Sequence, residues 1–95
     1  MSDSPAPTAV VADDERLMRE QIIGRLKDAW PELAIVGEAS NGTEAIALVQ
    51  REDPDIVFLD IRMPGMNGIE AARALAGKVH IVFVTRQFIV HAHGN

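Results

Sequence analysis

Short apolar runs and helix-spaced apolar positions alternate along the chain. Thr8 to Ala12 is an apolar run ending at the acidic pair Asp13-Asp14, and it reads as a first strand. Beyond it Leu17, Ile22, Leu26 and Ala29 recur near helical spacing, and Pro31 stops that helix. Ala34 to Ala39, with Ile35-Val36 inside it, fits a second strand closed by the turn signal Asn41-Gly42. Glu44 to Gln50 predicts a second helix with Ala45, Ile46 and Val49 on its inner face, and Pro54 ends the connection that follows. Ile56-Val57-Phe58-Leu59 is continuously apolar, as expected of a strand covered on both faces. After a glycine-rich loop, Ile69 to Ala76 suggests a third helix, and Val79 to Val84 a fourth strand.

This βαβαβαβ order predicts the α/β class: an open parallel sheet with helices on both faces, joined by right-handed crossovers. The last stretch, Arg86 to Asn95, is expected to supply no fifth strand and could begin a fourth helix. Trp30, the only tryptophan, falls at the end of the first helix and is read as a core plug at the edge remote from the strand ends. The domain reading is a flexible polar tail over residues 1–7 and a single folded unit over residues 8–95.

Composition narrows the picture. A length of 95 residues allows one small domain, and a hydrophobic fraction of 47% suits a folded globule. The net charge of -5, with no basic run, argues against direct nucleic-acid binding. The chain has no cysteine, which excludes disulfides and thiolate metal sites. No apolar stretch approaches the roughly 20 residues that span a bilayer, and the N-terminus lacks the parts of a signal peptide. A cytoplasmic location is therefore expected, with no membrane partner.

In an open parallel sheet, ligands bind beyond the carboxyl ends of the strands. Those ends carry Asp13-Asp14, Asp60 and Thr85. An isolated aspartate there is usually a turn former or helix cap, and Asp55 beside Pro54 is read that way. Three carboxylates converging from neighbouring strands are a different matter. Their mutual repulsion is relieved by a hard cation, and oxygen-only ligands suit Mg²⁺. One carboxylate could then act as a nucleophile toward phosphorus, forming an acyl phosphate.

The segment Asp60-Ile61-Arg62-Met63-Pro64-Gly65-Met66-Asn67-Gly68 resembles the phosphoacceptor loop of the receiver domains of two-component response regulators. Val11-Ala12-Asp13-Asp14-Glu15, Asn41-Gly42-Thr43-Glu44-Ala45 and Val82-Phe83-Val84-Thr85 resemble other motifs of the same family, so the likeness runs from Thr8 to Thr85. The resemblance implies a flavodoxin-like receiver fold with strand order 2-1-3-4-5. It implies that Asp60 accepts phosphate from a sensor histidine kinase and that Asp14 and Asp60 bind Mg²⁺ directly. Asp13 would act through water, the backbone carbonyl of Arg62 would supply a further oxygen, and Thr85 would be the switch hydroxyl. No enzyme activity is implied beyond phosphoryl self-transfer and autodephosphorylation. The wording around Gln87-Phe88 and Val90-His91-Ala92 is similar to receivers that precede a LytTR-type DNA-binding domain.

The chain also departs from the family pattern. The fifth strand, the fifth helix and the lysine that ends strand five are not found, and Lys27 and Lys78 are the only lysines. A C-terminally truncated receiver is therefore expected, and an alternative reading is a signalling-incompetent fragment that acts only as an interaction or dimerisation module. A Mg²⁺-dependent phosphatase of the haloacid dehalogenase type is a weaker rival, since its D-x-D pattern after strand one is missing here.

Lacking a fifth strand, strand four would be an apolar edge. Assembly into a homodimer or larger is expected through Val79, Ile81, Val82, Phe83, Val84 and the C-terminal segment, by edge pairing or by segment exchange. Arg86 is a candidate to replace part of the missing lysine's charge, and His80, His91 and His93 read as a solvated end rather than a metal site.

Overall fold

Alternate residues of a strand face opposite sides of its sheet, so a continuously apolar strand needs cover on both. The computed structural model, which describes residues 6–63 and 68–84 and the backbone of 89–92, supplies that cover. The elements run β1 (Thr8–Ala12), α1 (Arg16–Ala29), β2 (Ala34–Ala39), α2 (Gly42–Glu52), β3 (Ile56–Asp60), α3 (Gly68–Leu75), β4 (His80–Val84) and β5 (Ile89–Ala92). The sheet order is β2-β1-β3-β4-β5, with the first four strands mutually parallel. Val10, Ala12, Val57, Leu59 and Ile81 join Ala45, Val49, Ala71 and Leu75 in the core under α2 and α3. Ala9, Val11, Phe58, Val82 and Val84 join Ile22, Leu26 and Leu33 in the core on the α1 side.

The second helix starts where the sequence signal lies. The Asn41 side chain accepts the Glu44 N–H at 2.8 Å, and Glu44 Oε1 accepts both the N–H and the hydroxyl of Ser40 at 2.8 Å. These bonds satisfy donors that the helix itself leaves open. The helix ends at Asp53, whose left-handed φ of 48° is uncommon for a residue other than glycine.

The C-terminal stretch departs from expectation. Residues 89–92 form neither a helix start nor an open tail. They are β5, antiparallel to β4, with Val84 opposite Ile89 and Ile81 opposite Ala92. An apolar interior strand left at a sheet edge has unpaired backbone groups, and a short β-branched segment such as Ile89-Val90 satisfies them by folding back. The parallel fifth strand and fifth helix are absent among the described residues. The premise of an open β4 edge is thereby corrected. Val79, Ile81, Val82 and Val84, expected at an interface between chains, are buried in the domain's own core, and Phe83 is half-buried.

Two expectations about α1 also change. Leu17 is 73% exposed, because at 100° per residue it stands about 140° around the helix from the buried Ile22. The inner stripe is instead Met18, Ile22, Ile23 and Leu26. Ala29 is exposed, and Trp30 is no plug: it is the C-cap residue, more than a third open to solvent, and Leu33 fills the core at that end.

Candidate metal and phosphoacceptor site

Parallel pairing of β1 with β3 sets Ala12 opposite Leu59, so Asp13 and Asp60, each the next residue along its strand, arrive at the same edge. The expected convergence is present. Asp13, Asp14 and Asp60 each bring a carboxylate oxygen into a group lying within 4.8 Å of one another. Asp13 is buried, Asp60 half-buried and Asp14 exposed, so the cluster opens to solvent on one side.

The Asp13 and Asp60 carboxylates are each held by the backbone two residues on. Asp13 Oδ1 accepts the Glu15 N–H at 2.9 Å, and Asp60 Oδ1 accepts the Arg62 N–H at 3.1 Å. Aspartate favours such local turns, which here aim side chains. The Asp13 backbone is fixed at both ends: its N–H donates to the Ala39 carbonyl at 3.0 Å, and its carbonyl accepts from Arg19 Nη1 at 2.7 Å. Arg19 Nε donates in turn to Glu38 Oε1 at 3.0 Å.

Burial sets the electrostatics, and the neighbouring carboxylates add to it. Burial pushes the Asp60 carboxyl up from 3.8 to about 6; the Arg62 N–H opposes this, while the charges of Asp13 and Asp14 and a hydrogen bond with Asp14 add to it. Burial also raises Asp13, against the Glu15 N–H and the Arg19 charge, with Asp14 and Glu15 reinforcing the rise. Three carboxylate oxygens gathered at one point, with no thiolate or imidazole among them, fit a hard divalent cation such as Mg²⁺.

Behind Asp60, α3 begins at Gly68, whose N–H donates to the Ile61 carbonyl at 3.1 Å. A side chain at Gly68 would collide with the Asp60 carbonyl oxygen and stand 2.8 Å from Ile61 Cα. Its φ is not left-handed, so the demand here is for space rather than for a special backbone conformation. Met63 is buried in the core beneath α3. Pro64, Gly65, Met66, Thr85, Arg86, His93 and the side chain of His91 lie outside the described residues; Val84, the residue before Thr85, pairs with Asp60.

The opposite edge has a structural use. Asp55 Oδ2 accepts the Thr8 N–H at 2.8 Å and its carbonyl accepts the His80 N–H at 3.1 Å, which ties together the starts of β1, β3 and β4. Lys78 lies in the turn leading into β4 at that same edge, and Lys27 in the last turn of α1, so neither is near the carboxylates. Arg19 and Glu38 are the residues that sequence reasoning missed. Nothing in the local pattern separates Arg19 from Arg16, which pairs with Glu20 on the surface at 3.1 Å.

Comparison with known proteins agrees with this geometry. Residues 9–92 match the response regulator receiver domain family, and the chain belongs to that family. It is 48% identical over 81 residues to an uncharacterized response regulatory protein of Vibrio cholerae, covering 82% of this chain and 31% of that protein. It is 36% identical over 90 residues to the nitrate/nitrite response regulator protein NarL of Escherichia coli, covering 90% of this chain and 41% of NarL. Among solved structures it resembles the signal receiver domain of the putative response regulator NarL from Mycobacterium tuberculosis. The TM-score is 0.76 and the identity 32%, over 84% of this chain and 66% of that one. The chain thus spans about a third of the length of the curated relatives it matches. Among the described residues, no helix is long and apolar enough to cross a membrane.

Proposed function

We propose that the domain takes a phosphoryl group from a sensor histidine kinase onto Asp60. The observation that carries this reading is the convergence of the Asp13, Asp14 and Asp60 oxygens beyond the ends of β1 and β3. A carboxylate oxygen of Asp60 attacks phosphorus, the phosphorus–nitrogen bond of the kinase phosphohistidine breaks, and the imidazole leaves with its electron pair. Asp14, Asp60 and the Arg62 carbonyl would hold Mg²⁺, with Asp13 acting through water; bound there, the ion supplies positive charge against the incoming phosphoryl oxygens. Thr85 would donate its hydroxyl to a phosphoryl oxygen. The half-buried state of Asp60 limits competing water while leaving one side open to a donor.

The setting we infer is a cytoplasmic response regulator, of LytTR type, with output supplied by another part of the parent protein and no nucleic-acid contact by this domain. Incubation with acetyl phosphate and Mg²⁺, followed by intact mass measurement, should add the mass of one phosphoryl group. Asp60→Asn should abolish the addition, and a label that persists in that variant overturns the assignment.

A second reading, a domain that makes contacts without carrying a phosphoryl signal, is favoured by one observation. β5 runs antiparallel on β4 where the family pattern has a parallel strand ending in lysine. Failure of the unsubstituted domain to take label from acetyl phosphate would select it.

A further inference from the structure

Arg19 spans three elements at the site. It projects from α1, donates Nη1 to the Asp13 carbonyl at 2.7 Å, and donates Nε to Glu38 Oε1 on β2 at 3.0 Å. Its side chain is only 16% exposed, against 48% for Glu38. A guanidinium presents a planar fork of donors, so two bonds in different directions fix its orientation. The group it fixes is the peptide between Asp13 and Asp14. That peptide carries the Asp13 carbonyl on one side and the Asp14 N–H on the other, and its rotation aims the Asp14 side chain. At its other end Asp13 is pinned by the Ala39 carbonyl, again on β2. Asp14 itself is exposed, and among the described residues no backbone N–H holds its carboxylate as that of Glu15 holds Asp13.

We infer that Arg19, braced by Glu38, is a positioning residue: it sets the Asp13–Asp14 peptide so that the Asp14 carboxylate meets Asp60 across the cation site. This rests on the Mg²⁺ reading of that site. The positive charge of Arg19 would by itself oppose a nearby cation, so charge and geometry predict opposite effects of removing it. If geometry dominates, losing Arg19 weakens the site.

The test uses the full chain and Mg²⁺ alone. Calorimetric titration should show Arg19→Ala binding Mg²⁺ about tenfold more weakly, the lower end of what loss of a ligand-orienting partner costs. Arg19→Lys keeps the charge but cannot reach both acceptors, and should not restore the affinity. Glu38→Ala should show part of the same loss, and the double variant no more than Arg19→Ala. In the metal-free protein the amide ¹⁵N resonance of Asp14, which senses the hydrogen bond to the preceding carbonyl, should move in Arg19→Ala with distant amides unchanged. Unchanged or tighter Mg²⁺ binding in Arg19→Ala, full restoration by lysine, or an unmoved Asp14 amide overturns the inference. If the unsubstituted chain fails to bind Mg²⁺, the functional reading fails instead, and the Asp14 resonance still decides the positioning role. Should Arg19→Ala not fold, Arg19→Lys and Glu38→Ala carry the same comparison.

Discussion

The carbonyl oxygen of Asp60 occupies the space where a side chain on Gly68 would begin, so α3 starts directly against the backbone of the central site residue. Gly68→Ala must push backbone against backbone, and should cost roughly 2–3 kcal/mol, in the range of overpacked cores. Gly24, in the middle of α1 with open space around it, gives the control. Gly24→Ala should gain about 0.5–1 kcal/mol through helix propensity. Urea denaturation of both variants checks the pair, and a neutral Gly68→Ala would contradict the close approach.

The raised Asp60 carboxyl makes stability depend on pH. Its value of about 6 in the folded state exceeds the 3.8 of the free group, so the folded domain binds the proton more tightly than the unfolded chain. Stability from this group is therefore fully present below pH 3.8 and is lost as pH rises toward and through about 6. Without metal, Asp60→Asn should be more stable than the unsubstituted domain at pH 7, by about 1–2 kcal/mol once partial exposure is allowed for. The gain should shrink as pH falls below 6. Thermal melts across this range decide the sign.

Mg²⁺ should reverse that balance. A cation that binds the folded cluster and not the unfolded chain stabilises the domain, by an amount that keeps growing with the logarithm of its concentration once the site fills. Melting temperature should rise with Mg²⁺ in the unsubstituted chain and stay nearly constant in Asp60→Asn. Trp30 caps α1 at the edge opposite the carboxylates, so its fluorescence should barely respond. A large quench on Mg²⁺ addition would mean a rearrangement reaching across the sheet.

Pairing of β5 with β4 predicts the assembly state. With its edge covered, the full chain should remain a monomer by light scattering at about 100 μM, a concentration that reveals micromolar affinities. Deleting residues 86–95 should bare the β4 backbone and bring on association. A dimer of the full chain would instead indicate exchange of the C-terminal strand between protomers.

Asn41 accepts the Glu44 N–H at the start of α2, and Asn41→Ala should cost about 1 kcal/mol. Urea midpoints measure this directly; no change would mean that Glu44 and Ser40 alone carry the cap.

Alternation of apolar strands and helix-spaced positions was enough to determine the four parallel strands and three helices, with β1 and β2 bounded as the pattern predicts. The placement of Asp13, Asp14 and Asp60 followed too, because parallel strands joined by right-handed crossovers bring their carboxyl ends to one edge. Other features depended on what the folded chain brings near. Trp30 and Leu17 look like core residues by type, but helix rotation and the helix end turn them outward. Arg19 looks like any surface arginine until α1 lies over β1 and β2, where its Nη1 and Nε donors meet the Asp13 carbonyl and Glu38. Residues 89–92 carry no strong strand signal, and become a strand because β4 presents an edge whose backbone groups need partners. Periodicity is a local property that sequence records; the partners of a guanidinium or of an open strand edge are distant in the chain, and only tertiary structure brings them together.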